Sequence, residues 1–151
     1  LRVDIIVIRK ASLNDIGQLS RLFDAYRVFY KKDTDVTGAK KFLSERIKNN
    51  ESEIFVAEID NSLVGFVQLY PLFSSTRMKR LWLLNDLFVA DSHRGRGISV
   101  LLMEKAKEFA IQTNSCGLIL ETAKTNDIGN SLYPRTGFAL DNDHNYYSWD
   151  V

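Results

Sequence analysis

Between an apolar run, LWLLNDLFVA, and a run of helical periodicity, ISVLLMEKAKEFA, lies the segment SHRGRGIS, Ser92 to Ser99. It sets two glycines around an arginine at a strand-to-helix junction, although the common type I and type II turns need no more than one residue of positive φ. A helix N-terminus presents unpaired N–H groups and the positive end of the macrodipole, which together attract phosphate. Gly95 and Gly97 remove the Cβ atoms that would hold a ligand off the backbone, while Arg94 and Arg96 add positive charge, so the junction suits a pyrophosphate. The alternative is a tight turn with solvated arginines. A second conspicuous feature precedes it: Asn85 and Asp86 are adjacent polar residues inside an otherwise apolar strand candidate. A carboxylate buried there is costly without a partner or a water. Adjacent strand residues point to opposite faces unless a bulge intervenes, so one of the two is expected to be structural.

Two nucleotide signatures fail on detail. A dinucleotide fingerprint needs G-x-G-x-x-G, but the third position after Gly95 and Gly97 is Val100, and no Gly-Lys-Ser/Thr of a P-loop is present.

The elements that must carry these residues follow from periodicity. VDIIVIRKA predicts a strand, and Ser12, Asn14 and Asp15 offer caps to a helix in which Ile16, Leu19, Leu22, Phe23, Tyr26, Phe29 and Tyr30 share a face. AKKFLSERIKN predicts a second helix. Three strands follow, EIFVAEI, SLVGFVQLYPLF after an Asp60-Asn61 turn, and RLWLLNDLFVA, spaced for antiparallel hairpins. Ile98 to Thr113 is helical, CGLILET a strand, Asp127 to Tyr133 a short helix, and GFAL and NYYSWDV are expected as two closing strands. The order predicts a mixed α/β fold, a mostly antiparallel central sheet with flanking helices and one βαβ crossover whose helix begins at the glycine pair.

A chain of 151 residues suits one domain, 1–151, and 45% hydrophobic with 26% charged residues is an ordinary globular composition. A net charge of +1 argues against bulk attraction to nucleic acid or membrane. The single cysteine, Cys116, excludes an internal disulfide and points to a reducing, cytoplasmic setting; with His93 and His144 far apart, no metal site is expected. No apolar run reaches the roughly 20 residues that span a bilayer, and LRVDIIVIRK carries charges unlike a signal peptide.

Arg94-Gly95-Arg96-Gly97-Ile98-Ser99 resembles the R/Q-x-x-G-x-G/A signature of the GNAT N-acetyltransferases. Downstream, Asn126 to Phe138 resembles that family's N-x-x-A-x-x-L-Y-x-x-x-G-F, with Tyr133, Gly137 and Phe138 in register. The element order is also that of the GNAT fold, so the likeness covers nearly the whole chain. It implies acetyl-CoA as donor, with no metal. Its pyrophosphate would lie on Arg94, Gly95, Arg96, Gly97, Ile98 and Ser99, and its pantetheine beside Leu87, Phe88 and Val89, provided that strand is splayed from its neighbour. Asn126 would orient the cofactor, or simply cap its helix. Three positions depart from the pattern: Ser99 replaces Gly or Ala, Gly129 replaces Ala, and Pro134 disfavours a helical conformation at Tyr133.

Acetyl transfer to an amine needs a neutral nucleophile, and an alkylamine of pKa about 10.4 is only roughly 0.1% neutral near pH 7.4. Asp86 acting through water is the expected base, with a hydrogen-bonded structural carboxylate as the alternative; relatives that acetylate polyamines often carry a carboxylate where Asn85 stands. The resemblance implies Tyr133 as general acid at the leaving sulfur; the alternative is a core tyrosine packed on Phe138. Tyr26, Tyr30 and Trp82, with Tyr70, Phe73, Tyr146, Tyr147 and Trp149, are expected to line a groove for a cationic amine, or to be core. Asp33 and Asp35 would attract it. A looser likeness is to the polyamine- and histone-acetylating branch. The acceptor is then a small-molecule amine or a lysine-containing peptide, attacked directly in a ternary complex, and a homodimer through the C-terminal strands is implied. The rival is a silent CoA-binding sensor or assembly module.

Overall fold

The computed structural model describes residues 3–151 and divides into two compact units, one up to Leu120 and one from Glu121 to Val151. Leu1 and Arg2, part of the run weighed against a signal peptide, lie outside the described residues.

The larger unit is built on a five-stranded sheet in the order β1-β2-β3-β4-β5. Strand β1 (Val7–Lys10) is followed by a 3₁₀ turn, α1 (Ile16–Phe29) and α2 (Val36–Lys48); β2 (Glu53–Ile59), β3 (Ser62–Ser74) and β4 (Lys79–Val89) form the meander; α3 (Ile98–Gln112) and β5 (Leu118–Ile119) complete the crossover. The first four strands are antiparallel and β4 pairs with β5 in parallel, as a crossover through α3 demands. Asp60 and Asn61 both take positive φ, 49° and 65°, which gives the primed turn whose twist matches a hairpin. One face of the sheet buries Val56, Phe66 and Phe88 against Leu19 and Phe23 of α1 and Leu43 of α2. The N-terminal strand is shorter than its β-branched run because only Val7 to Lys10 find partners on β2.

Local caps hold the helices in place. The Asp15 carboxylate accepts the Ser12 N–H at 2.8 Å and two guanidinium N–H groups of Arg9. This pairing and Glu58 hold the guanidinium charged, and Arg9 keeps the Asp15 carboxyl below its ordinary value. Asp24, buried in α1, accepts the Asp35 N–H and the Thr34 hydroxyl, both at 2.7 Å, and these bonds lower its pKa. Asp35, expected to attract an amine, caps α2 through the Gly38 N–H at 2.9 Å.

In the smaller unit, α4 (Asp127–Arg135) contains Pro134 and Tyr133 is helical, contrary to expectation. The proline sits in the last turn, where the helix is already ending, so little of the ladder is disturbed. The two closing strands are not formed: nothing from Phe138 onward is in a strand, and Tyr147 is 92% exposed. Aromatic composition alone does not make a strand without an edge that pairs with it.

Candidate active site

At the junction after β4, Gly95 and Gly97 have φ of 78° and 75°, so the turn uses left-handed backbone twice. A Cβ built on either glycine meets nothing within 4 Å. Conformation, not crowding, requires glycine here, and the space above the backbone is open. Gly97 is the N-cap of α3 and supplies no side-chain acceptor, so the first-turn N–H groups gain no partner from it.

Beside this turn the sheet opens. The β4–β5 ladder consists of Trp82↔Leu118 and Leu83↔Ile119 and goes no further, whereas β3 stays paired with β4 to Val89. The Ala90 N–H donates to the Val64 carbonyl at 2.8 Å, which fixes the phase of the β3–β4 ladder. By antiparallel alternation the backbone groups of Phe88 then face β3, while those of Leu87 and Val89 face the side that β5 has left. Of the expected backbone contributors, both groups of Leu87 and the N–H of Val89 face the gap, the Val89 carbonyl accepts Arg94 Nε, and the groups of Phe88 face β3.

The register shifts between Gln68 and Leu69: Gln68 pairs with Asp86 and Leu69 with Leu84, so Asn85 is the extra residue of a bulge. The bulge reverses which face each side chain takes. Trp82, before it, packs on Phe109 of α3 at 4.9 Å, and Phe88, after it, packs on Phe66 and Tyr26. Asn85 is exposed and Asp86 is buried at 6% exposure. The Asp86 oxygens accept from Asn85 Nδ2 at 3.1 Å and Gln68 Nε2 at 2.8 Å, and Gln68 Oε1 accepts from Ser52 at 2.8 Å. Burial and the nearby Asp86 charge push the Tyr70 phenol up to about 12.

The arginines of the turn do not simply point outward. Arg94 donates Nε to the Val89 carbonyl at 3.0 Å, pairs with Asp91, and lies over the rings of Phe29 and Phe88 at 5.2 and 5.3 Å. Arg96 pairs with Asp4 at 3.2 Å.

In the smaller unit, Asn126 caps α4, accepting the Gly129 N–H at 3.1 Å and donating to the Thr122 hydroxyl at 2.9 Å. A Cβ at Gly129 would fall 2.5 Å from Asn126 Nδ2 and 3.1 Å from Tyr133 Cε2, so glycine leaves room for both side chains. The other end of α4 is closed by Gly137 at φ 95°, with the Phe138 N–H on the Tyr133 carbonyl at 3.0 Å and the Gly137 N–H on Pro134 at 3.3 Å. This is the Schellman arrangement, and its usual apolar contact is the Tyr133–Phe138 ring pair, 6.1 Å between centroids.

Residues 19–138 match the model of the acetyltransferase (GNAT) family. The chain belongs to that family. An uncharacterized N-acetyltransferase of Bacillus subtilis, YhfO, is 40% identical over 144 residues, 95% of this chain and 97% of that one. The crystal structure of a probable acetyltransferase superposes with a TM-score of 0.92 at 34% identity, covering 96% of this chain and 97% of the other. The aminoglycoside N-acetyltransferase AAC(6')-Iy in complex with CoA shares the fold, with a TM-score of 0.83 at 16% identity over 99% of this chain and 98% of that one. This GNAT chain is therefore an acetyltransferase, with the mixed, mostly antiparallel sheet and flanking helices expected of it. No helix among the described residues is long and apolar enough to cross a membrane, and no cluster of His, Cys, Asp and Glu there could hold a metal ion.

Of the aromatics expected at the acceptor side, Tyr26 and Tyr30 lie together at 5.1 Å, with Tyr26 on Phe66 and Phe88 and Tyr30 half exposed. Trp82 does not join them. It is 6% exposed on the opposite face, its indole N–H committed to Thr113 at 2.9 Å, because the Asn85 bulge inverts the alternation expected of a regular strand. Gln68 and Ser52 were not expected. Counting the hairpin register from Ser74 and Lys79 sets Gln68, the lone amide of VGFVQLY, opposite Asn85; only the bulge, which no count along the sequence supplies, brings it to Asp86.

Proposed function

We propose that this acetyltransferase moves the acetyl group of acetyl-CoA to a primary amine, with polyamines and other small amines ahead of lysine side chains, by direct attack in a ternary complex. The observation that carries the reading is the open edge of β4 at Leu87 and Val89, continuous in sequence with a turn whose two left-handed glycines have free space above them. Extended amides can be held on such an edge as an added strand would be, and a phosphate at a helix start with unsatisfied N–H groups. The fold shared with an aminoglycoside acetyltransferase in complex with CoA supports the donor. Leu87, Val89 and the backbone from Gly95 to Ser99 would hold it, and what it supplies is an activated thioester.

The residues of this chain then have three tasks. Asp86 draws a proton from the acceptor ammonium through water, Asn85 at the bulge steadies the carboxylate, and the half-exposed Tyr30 beside Tyr26 offers a π face to the cation. The amine nitrogen forms the C–N bond as the C–S bond breaks, and the Tyr133 hydroxyl donates to the leaving sulfur. A phenol near pKa 10 protonating a thiolate near 8.5 is uphill by roughly 2 kcal/mol, so a strong hydrogen bond at the developing thiolate carries most of this contribution.

The test is thiol release from acetyl-CoA with pooled polyamines, lysine peptides, aminoglycosides and arylalkylamines, comparing the native protein with Tyr133→Phe. Release that depends on one pool and falls about tenfold or more in the variant is expected for acid catalysis. Tight acetyl-CoA binding with no release from any pool would instead indicate the silent binding module.

A further inference from the structure

Three buried polar side chains from separate segments form one chain: Ser52 before β2, Gln68 in the middle of β3 and Asp86 in β4. Gln68 has 0% exposure and its amide has a single workable orientation. Its Oε1 accepts the Ser52 hydroxyl at 2.8 Å and its Nε2 donates to Asp86 Oδ2 at 2.8 Å; turned over, it would set an oxygen against a carboxylate oxygen. With Asn85 Nδ2 on Oδ1, each carboxylate oxygen takes one neutral amide donor and keeps a lone pair. Among the described residues Asp86 has no ion-pair partner. The Asp86 charge also acts on the Tyr70 phenol of β3, and Arg46 of α2 acts on that phenol in the opposite sense. Such a network is expensive to bury and often dispensable to stability, since apolar residues of like volume can replace it.

We infer that Gln68, oriented by Ser52, is a positioning residue that turns the Asp86 carboxylate so that its free lone pairs face the proton it receives. The inference rests on the base role proposed for Asp86.

The experiment uses Gln68→Glu, Gln68→Met and Ser52→Ala in the full chain, each checked by circular dichroism. The readouts are the pH profile of kcat/KM for the amine, the KM for acetyl-CoA, and a 13C NMR titration of the Asp86 side-chain carboxyl without substrates. A glutamate at hydrogen-bond distance makes two carboxyls share a proton, so the acid limb and the Asp86 resonance both move up by about one pH unit or more. Gln68→Met lowers kcat about tenfold while the KM for acetyl-CoA stays within about twofold, and Ser52→Ala does the same more weakly, a split that loss of fold would not give. An Asp86 resonance and acid limb unchanged in a folded Gln68→Glu protein would overturn the inference. Full turnover by Asp86→Asn would remove the base role beneath it, whatever the resonance does in the glutamate variant. If the glutamate variant does not fold, Ser52→Ala decides: an unchanged kcat there overturns the inference.

Discussion

Arg94 occupies a position where sequence reasoning assigns charge, and the structure gives it geometry as well. Its Nε bond to Val89 and its place over Phe29 and Phe88 tie the end of α1 to the end of β4, the strand whose edge is proposed to hold pantetheine. A planar guanidinium can stack and donate in a fixed direction, and an ammonium cannot reproduce both. Arg94→Lys, which preserves the charge, is therefore expected to lose about 1 kcal/mol in urea unfolding and to raise the KM for acetyl-CoA several-fold. An unchanged KM in the lysine variant would mean that charge alone matters. Arg94 also pairs with the exposed carboxylate of Asp91, a solvated contact that adds little to the hold of the stacked guanidinium.

At the scale of elements, the downstream motif can be understood as a helix ending. Tyr133 is the third residue from the C-terminus of α4, its carbonyl receives the Phe138 N–H, and its ring meets the Phe138 ring, so Gly137 and Phe138 fix the tyrosine they follow. Gly137 needs its φ of 95°, and a Cβ there costs about 1 kcal/mol or more. Gly137→Ala is expected to loosen the last turn of α4 and lower kcat by a larger factor than its effect on melting temperature implies, measured by amide exchange at Thr136 to Phe138 together with turnover. Much of this architecture was legible. The glycine turn, the Asp60-Asn61 hairpin and the crossover helix all follow from backbone preferences that act over a few residues. The failures have a common physical origin in long-range pairing. Whether NYYSWDV pairs, how far β5 follows β4, and on which face Trp82 falls depend on an edge or a register contributed by another segment.

Among the described residues β4 is flanked by β3 along its length and by β5 for two residues only, so beyond Leu83 it has an edge without a strand partner inside the sheet order rather than at its rim. Unpaired strand edges expose obligate donors and acceptors and are usually covered or blunted. Occupation of that edge by an extended amide ligand would satisfy them, and it would do so with a pattern. Only alternate residues face the gap, so acetyl-CoA is expected to slow amide exchange at Leu87 and Val89 and at the first turn of α3, from Ile98 to Val100. The Phe88 amide, already paired with β3, should change little. Binding confined to the native state also raises stability, by about 2.7 kcal/mol at a hundredfold excess over Kd, or roughly 5–10 °C in melting temperature for a chain of this size. Gly97→Val, which forces a branched side chain into left-handed backbone at the turn, should abolish most of that shift. Protection at the α3 turn with none at Leu87 and Val89 would confine the ligand to its phosphate end and remove the strand edge from the acetyl-CoA site.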